Sequence, residues 1–463
     1  MPAESRESEL LLMSLAEVSE LLRFKKVSPV ELTQACLARI EALNPDLNAF
    51  ITITSEMALQ QARQAEAEIQ RGNWRGPLHG IPLALKDLID VAGVRTTAAS
   101  AAFEDRVAAE DAEVVRRLKT AGAIIVGKNN LHECAYGGSG LISRYGPVDN
   151  PRYPGRITAG SSSGSAAAVA AGLCYGALAT DTAGSIRLPA AFCGIVGFKP
   201  TYGLVSARGV MPLSWSLDHV GPMARNVTDV AFILAGIAGY DPADPTSRRI
   251  PVEDYSGVVR APAPKLRVGV PRKFFYEDLD PEVAPAIDEA LRIVSGLAAE
   301  VREVSVPVDN DRTVAKAETY AYHASNLRQN AGKYHPETLR RINSGADVSL
   351  SEYIAKRHEL QLLRRSAAEI TDVDVVVTPT CPVAPPLMAE LQAHIPRLRE
   401  RELLMLRNTR PFNVLGLPAI SVPCGETSAG LPVALQIVGP SGADARVLAF
   451  ARAFEEARDA GRP

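Results

Sequence analysis

A lysine and two serines lie in three short motifs whose residue types suit nucleophilic chemistry. The motifs are GIPLALKD, which contains Lys86, GSSSGS, which contains Ser161, and DTAGSIR, which contains Ser185. A serine hydroxyl is a poor nucleophile unless a base lies within hydrogen-bonding distance. A lysine can be that base where burial lowers its pKa, and a second serine can relay the proton between them. The three motifs therefore contain the groups needed for nucleophilic catalysis without a histidine.

Each motif also has a purely structural explanation. Lys86 ends an apolar run, where a lysine side chain can extend to solvent, and Ser185 can bond to the backbone of its own turn. The turn at Ala159–Ser165 could bind phosphate at a helix N-terminus. It lacks the Walker pattern, because Gly164 is followed by Ser-Ala instead of Lys-Ser/Thr, and GxGxxG is absent. The small residues before Ser185 favour catalysis, since they let successive backbone N–H groups face a developing oxyanion.

The composition of the chain limits the partners that it can bind. Its 463 residues carry a formal net charge of −3 without a marked run of Lys or Arg, so we expect no nucleic-acid partner. Six scattered cysteines without a CxxC pair, and seven histidines without metal-ligand spacing, predict no metal site. No basic signal segment opens the chain, and no apolar run is long enough to span a bilayer. We therefore expect a cytoplasmic protein without a membrane partner.

The elements that position the motifs alternate between strands and helices, as in an α/β sheet. Apolar runs predict strands at 80–86, 120–128 and 174–180, and an Ala-rich stretch predicts a helix at 165–172. Serine-bearing turns stand at both ends of this last helix–strand unit. Because the chain runs out along the helix and returns along the strand, Ser161 and Ser185 can meet at one site.

The remaining segments predict one domain, 1–463, built around a catalytic core at 80–225. Periodic apolar residues predict helices at 10–23, 28–43 and 56–71, which form an N-terminal helical wrap over residues 1–75. Residues 201–225 are rich in turn formers and are predicted to lie along the core unit. The polar segment 310–370 is predicted to be a helical cover or a substrate-side insertion. Two apolar runs at 419–422 and 432–438 predict a hairpin, which makes the sheet mixed.

The three motifs, in this order and with an Ala-rich link, resemble the amidase signature family of serine hydrolases. The resemblance runs from about residue 83 to 225 and returns at 410–438. It implies one α/β domain with a mixed sheet of about ten strands that helices cover on both faces. It also implies hydrolysis of a carboxylic amide C–N bond through an acyl-enzyme, with no metal and no organic cofactor.

The resemblance also implies a role for each matching residue. Ser185 would be the nucleophile, Ser161 the bridging serine after a cis peptide bond from Gly160, and Lys86 the base. The backbone N–H groups of the oxyanion hole would belong to Thr182, Ala183, Gly184 and Ser185. The supporting shell would be Ser162, Asp181 and Arg187, and the loop beside the scissile bond would be Tyr136, Gly137 and Gly138.

The motifs depart from the family pattern at three glycines. The family commonly has GGSSGGS and DTGGS, whereas this chain has Ala159, Ser163 and Ala183 at those places. Each replacement is nearly as small as glycine, so we expect the backbone geometry to be retained. The methyl group of Ala183 would narrow the range of acyl groups that fit.

Three functional alternatives remain open at this point. The first is a hydrolase whose substrate would be a small-molecule amide, ester or carbamate (urethane), because hydrolysis of all three passes through a tetrahedral intermediate. A second candidate is the glutaminase subunit of a tRNA amidotransferase, although the 313–370 segment shows no clear match to that subunit's glutamine-holding residues. A third is a non-catalytic binding protein on the same scaffold, which the intact Lys86, Ser161 and Ser185 disfavour. A homodimer is an open possibility.

Overall fold

The apolar runs of the chain form one eleven-stranded sheet in the computed structural model, which describes residues 9–367 and 372–461. The strands are β1 (Phe50–Ile53), β2 (Pro82–Lys86), β3 (Ile124–Asn129), β4 (Gly176–Asp181), β5 (Val196–Lys199), β6 (His219–Ala224), β7 (Arg267–Val270), β8 (Glu300–Glu303), β9 (Val375–Pro379), β10 (Ala419–Glu426) and β11 (Pro432–Val438). Their order in the sheet is β1-β3-β2-β4-β6-β5-β10-β11-β9-β7-β8.

The sheet is mixed, as predicted, and its eleven strands agree with the expected number of about ten. Strand β2 pairs in parallel with β3 and with β4, and β7 pairs in parallel with β8 and with β9. The strands between these two groups pair antiparallel, including the predicted hairpin of β10 and β11. The hairpin strand β10 extends four residues beyond its predicted end at 422.

Helices cover the sheet. Those of five residues or more are α1 (Leu15–Arg23), α2 (Pro29–Leu47), α3 (Ser55–Gln70), α4 (Glu113–Thr120), α5 (Ser163–Ala170), α6 (Arg187–Phe192), α7 (Val227–Ile237), α8 (Ala284–Leu297), α9 (Thr313–Asn330), α10 (Pro336–Asn343), α11 (Leu350–Ala367), α12 (Met388–Gln392), α13 (Leu398–Met405) and α14 (Asp444–Ala460). Single turns lie at Tyr255–Val258, Arg272–Phe275 and Pro411–Val414.

Helices α2 and α3 begin within one residue of their predicted starts, whereas α1 begins at Leu15, five residues after the predicted start at residue 10. Ser28 caps α2 in a complete capping box with Glu31, and Ser14 does the same for α1 with Glu17. The predicted end of α2 at residue 43 was too early, because the helix continues through Pro45 to Leu47. A proline in the last turn removes one backbone donor but leaves most of the helix hydrogen bonds in place.

Strand β6 lies within the turn-rich segment 201–225, where the sequence predicted no strand. Gly221 and Pro222 are turn formers in sequence, yet both lie inside β6 between β4 and β5. Glycine is required there, since a Cβ atom on Gly221 would lie 2.2 Å from the carbonyl oxygen of Phe198. Strands β1 and β5 and helix α14 were also not predicted.

The predicted cover at 310–370 consists of helices α9, α10 and α11 as far as residue 367. Its last residues, 368–370, lie outside the described residues. So do the start of the predicted wrap (1–8) and the end of the predicted domain (462–463). Among the described helices, none has the length and the apolar character that crossing a membrane requires.

Helix α5 packs so closely against its neighbours that there is no room for a methyl group at Gly164. A Cβ atom on Gly164 would lie 2.3 Å from the Ala49 carbonyl oxygen and 2.6 Å from the Asn130 backbone. Because backbone atoms cannot give way, we expect Gly164→Ala to lower the free energy of unfolding by about 1–3 kcal/mol. Urea denaturation measures this change.

Gly296 in α8 is the matched control, because a Cβ atom there would meet nothing within 4 Å. Gly296→Ala should leave stability unchanged or raise it by up to about 1 kcal/mol, since alanine favours the helix. Equal stabilities of the two variants would contradict the close packing of α5.

Candidate active site

Two parallel strands bring the predicted catalytic motifs to one edge of the sheet. Strands β2 and β4 are paired with Leu85 opposite Leu178. Lys86 is the last residue of β2 and Asp181 the last of β4. Carboxyl ends of parallel strands lie on the same side of a sheet, which is where α/β proteins bind their ligands.

The Lys86 amine lies inside the protein between two hydroxyl groups. Its Nζ is 2.7 Å from Ser161 Oγ and 2.8 Å from Thr180 Oγ1, and the residue is fully buried. Burial lowers the pKa of Lys86 to about 7, against the negative charges of Asp218 and Asp181, which raise it. A large fraction of the amine is therefore neutral near pH 7, and its lone pair can accept a proton.

Ser161 follows a cis peptide bond from Gly160, as the resemblance implied. The Gly160 N–H donates to the Gly138 carbonyl oxygen over 2.8 Å, so the glycine-rich loop is tied to this bond. Ala159, one of the three departures from glycine, has a left-handed φ of +59°. The backbone conformation that glycine favours is thus retained there with a methyl side chain.

Ser185 lies in the turn between β4 and α6 and lines a cavity of about 400 Å³. It is 7% exposed, so its hydroxyl can meet a molecule in this cavity. Among the described residues, no hydrogen bond joins Ser185 Oγ to Ser161 Oγ. Catalytic hydrogen bonds are often long in free enzymes and shorten when substrate binds.

A buried ion pair fixes the turn that carries Ser185. Arg187 donates from Nε and Nη2 to the Asp181 carboxylate over 3.0 and 2.9 Å, and both side chains are fully buried. Burial alone would raise the pKa of Asp181, but the charge and hydrogen bonds of Arg187 hold it well below its usual range. Arg187 also donates to Gln436 over 2.6 Å, to Asn413 over 2.6 Å and to the Thr409 carbonyl oxygen over 2.9 Å.

One of the four predicted oxyanion donors is already engaged. The Gly184 N–H donates to Asp181 Oδ1 over 2.7 Å. Within the described residues, no acceptor is seen for the N–H groups of Thr182, Ala183 and Ser185. Gly184 has a φ of +139°, and a Cβ atom there would lie 2.1 Å from Thr409 Oγ1, so this turn requires glycine.

The predicted loop and shell residues surround this turn. Tyr136 and Gly137 line the cavity, whereas Gly138 is not among its lining residues. Ser162 Oγ donates to the Thr180 carbonyl oxygen over 3.3 Å. The lining consists of Ala135, Tyr136, Gly137, Thr182, Ala183, Ser185, Leu213, Leu217, Phe274, Asn310, Arg312, Ala315, Arg399, Leu403, Leu406, Arg407 and Arg410.

Several residues of the site carried no signal in the sequence. Asp218 accepts from Thr182 Oγ1 over 2.5 Å, and burial raises the pKa of its carboxyl to about 6. Buried Glu402 accepts from Ser139 Oγ over 2.7 Å and from Arg341 over 2.7 Å, which fixes the loop beside Tyr136. Only Thr180 could have been found, since it precedes Asp181 in the predicted strand next to Lys86. Among the described residues, no group of three or more His, Cys, Asp or Glu could hold a metal ion.

Comparison with known proteins places this site in a wide group of enzymes. The family model described as Amidase matches residues 31–448. Among curated relatives, the A-type subunit of glutamyl-tRNA(Gln) amidotransferase from Geobacter metallireducens is 39% identical over 97% of this chain and 98% of its own length.

Solved structures share the fold over nearly the whole chain. The native peptide amidase from Stenotrophomonas maltophilia is 32% identical with a TM-score of 0.83, over 98% of each chain. A 6-aminohexanoate cyclic dimer hydrolase, solved with its substrate, is 29% identical with a TM-score of 0.87, over 96% of this chain and 97% of its own.

The buried amine predicts the pH dependence of amide hydrolysis. Since the pKa of Lys86 is lowered to about 7, its neutral form increases as the pH rises through that value. We expect kcat/KM for an aryl amide to rise with a midpoint near pH 7, far below the ordinary lysine pKa of about 10.4. A rate constant that stays flat between about pH 6 and 9 would contradict a base with this pKa.

Asp218→Asn provides a sharper version of the same experiment. The negative charge of Asp218 raises the pKa of Lys86, so removing it should move the midpoint to lower pH. Asparagine can still accept from the backbone N–H groups of Leu213 and Ser214. The exposed Asp46→Asn substitution is the control and should leave the midpoint unchanged.

Proposed function

The chain belongs to the amidase family of C–N hydrolases, and from this membership we propose that it cleaves the carboxylic amide of a small molecule through an acyl-enzyme on Ser185. The observation that carries the proposal is the contact of 2.7 Å between the buried amine of Lys86 and the hydroxyl of Ser161. A buried lysine with a lowered pKa that contacts a serine is the activated base that such a reaction needs.

Acylation uses Lys86 as the base. Ser185 Oγ attacks the amide carbonyl carbon, its proton passes to Ser161 Oγ, and the proton of Ser161 passes to the Lys86 amine. The carbonyl oxygen becomes an oxyanion next to the turn that follows β4. We assign its stabilisation to the N–H groups of Thr182, Ala183 and Ser185, because the Gly184 N–H is engaged by Asp181.

Collapse of this tetrahedral intermediate breaks the C–N bond. The proton held by Lys86 returns through Ser161 to the departing nitrogen, which leaves as an amine, and the acyl group remains on Ser185. A water molecule then attacks the ester and gives a proton to the same relay, which passes it to Ser185 Oγ as the bond to the acyl carbon breaks and the acid is released. Esters and carbamates are credible co-substrates, since they form the same tetrahedral intermediate.

Two further predictions from the sequence stay proposals. We assign Ser162, Asp181 and Arg187 to a shell that supports the Ser185 turn, and the loop at Tyr136–Gly138 to substrate contact. We also retain the division into an N-terminal wrap, a catalytic core and a helical cover. Arg312 and Ala315 line the cavity at the start of the proposed cover, which supports its position on the substrate side.

The alternative function is that of a glutaminase subunit in a tRNA amidotransferase. The curated relative from Geobacter metallireducens favours it, because that protein bears the name of such an enzyme and matches over nearly its whole length. In this case the acyl group would come from glutamine, and the ammonia released would pass to a partner protein. The chemistry at Ser185 would be the same.

Replacement of the proposed nucleophile is the first test. Ser185→Ala should reduce amide hydrolysis by about 10⁴-fold or more, because it removes the hydroxyl that we propose forms the acyl-enzyme. The variant should also no longer be labelled by a fluorophosphonate probe. Lys86→Ala should lose most of the activity although it keeps the Ser185 hydroxyl, because the proposed base is removed. Activity retained by Ser185→Ala would disprove the assignment.

The serine run offers a matched control for this experiment. Ser163 is buried two residues beyond Ser161, and its Oγ has no hydrogen-bond partner among the described residues. Removing this unpaired hydroxyl costs little stability. Ser163→Ala should therefore keep amide hydrolysis and probe labelling, which would separate the role of Ser185 from a general effect of serine loss.

A substrate panel separates the two functions. The purified chain alone should hydrolyse aryl or aliphatic amides, esters or carbamates faster than it releases ammonia from glutamine. Measurement of kcat/KM for each member checks this. Glutamine as the best substrate, with turnover that rises when a copurifying partner is present, would favour the amidotransferase function.

A further inference from the structure

Cationic side chains dominate the charge of the cavity that contains Ser185. Its lining contains four arginines: Arg312, Arg399, Arg407 and Arg410. No aspartate and no glutamate is among the described lining residues. The catalytic groups deeper in the site do not require this charge, since a neutral amide reacts at Ser185 without it. The arginines therefore need an explanation of their own.

Most of this positive charge is not neutralised within the protein. Arg410 donates to the backbone carbonyl oxygens of Asp309 and Asp311, which are uncharged acceptors. For Arg312, neither a hydrogen bond nor an ion pair of the side chain occurs in the described ranges. Arg399 lies 3.3 Å from Glu402, but this carboxylate is shared with Arg341 at 2.7 Å.

The carboxylates nearest to Arg410 are held by other groups. Asp311 accepts from the Thr313 N–H over 2.7 Å and lies 3.3 Å from Lys356. Asp309 accepts from the Asp311 N–H over 2.7 Å. Neither residue lines the cavity, so their charges weaken the field of the arginines without occupying the space beside them.

The arginines are close enough to repel one another. Burial lowers the pKa of Arg410 to about 10; Asp309 opposes this effect, and the charge of Arg312 adds to it. Burial and the neighbouring charges of Arg341 and Arg312 also lower the pKa of Arg399, against the effect of Glu402. A guanidinium group stays protonated in proteins at pH 7. Like charges gathered in a partly buried space are unfavourable until an anion enters.

We propose that the cavity binds a substrate that carries a carboxylate, with Arg312 and Arg410 as its main partners. The guanidinium group suits this anion, because it can donate two parallel hydrogen bonds to the two carboxylate oxygens. Apolar side chains of Leu213, Leu217 and Phe274 line the same cavity and can contact the part of the substrate between the carboxylate and the amide. This inference rests on the proposed amide hydrolysis and names its substrate class.

The carboxylate can belong to either half of the amide, and two ligand pairs distinguish the halves. On the acyl side, succinanilate is compared with pentananilide, in which an ethyl group replaces the carboxylate. On the amine side, 4-acetamidobenzoate is compared with N-(4-ethylphenyl)acetamide. Calorimetry with the Ser185→Ala protein measures binding without turnover, so the result does not depend on hydrolysis.

In at least one pair, the carboxylate should bind roughly 10- to 100-fold more tightly than its neutral partner, as hydrogen bonds to a charged group predict. Adding Arg312→Gln should remove most of this preference. The substitution should leave folding intact, because the Arg312 side chain makes no hydrogen bond and no ion pair with the described residues. A higher salt concentration should weaken binding of the carboxylate ligand and leave binding of its neutral counterpart unchanged.

Arg292→Gln is the control, because Arg292 is an exposed arginine of α8 that pairs only with neighbouring Glu289 among the described residues. It should leave the preference unchanged. Equal binding within both pairs, or a preference that survives Arg312→Gln, would overturn the inference. Hydrolysis retained by Ser185→Ala would instead overturn the proposed function, so the two failures are distinguishable.

Discussion

The burial of a single amine is the constraint on which the site depends. In water the Lys86 side chain would be protonated at neutral pH and unable to accept a proton. Enclosed between Ser161 and Thr180, it has a pKa of about 7. Burial lowers the pKa of this amine, whereas the negative charges of Asp181 and Asp218 raise it. The balance of the two effects places the pKa near neutral pH. The proposed proton relay exists only because water is excluded from this amine.

The turn that carries Ser185 is held by a second buried interaction, the pair of Asp181 and Arg187. Burying two charges is costly unless both are fully hydrogen-bonded, and here both are. Asp181 accepts from the Gly184 N–H inside the turn, and Arg187 reaches Gln436 on β11. The pair therefore fixes the turn from within and links it to the distant half of the sheet. Loss of either partner would leave an uncompensated charge in the core.

The chemistry and the substrate are decided by different parts of the structure. A peptide amidase and a cyclic dimer hydrolase share this fold, although their names give them different substrates. The fold therefore does not define the substrate, which depends on the side chains around the cavity. In this chain those side chains include the apolar Leu213, Leu217 and Phe274 and the cationic Arg312 and Arg410. This distribution of charge is what we expect a substrate to match.

Local patterns in the sequence were enough to predict the α/β class and the mixed sheet, since each depends on neighbours within a few residues. The three motifs also grouped Lys86 with Ser161, whose side chains lie 2.7 Å apart. Tertiary structure alone decided the rest. Gly221 is needed in β6 because the backbone of β5 leaves no room for a side chain there, and the Gly184 N–H is taken by a carboxylate that Arg187 keeps charged. Asp218 and Arg312 join the site from segments without a motif, because long-range contacts leave no periodic trace along the chain.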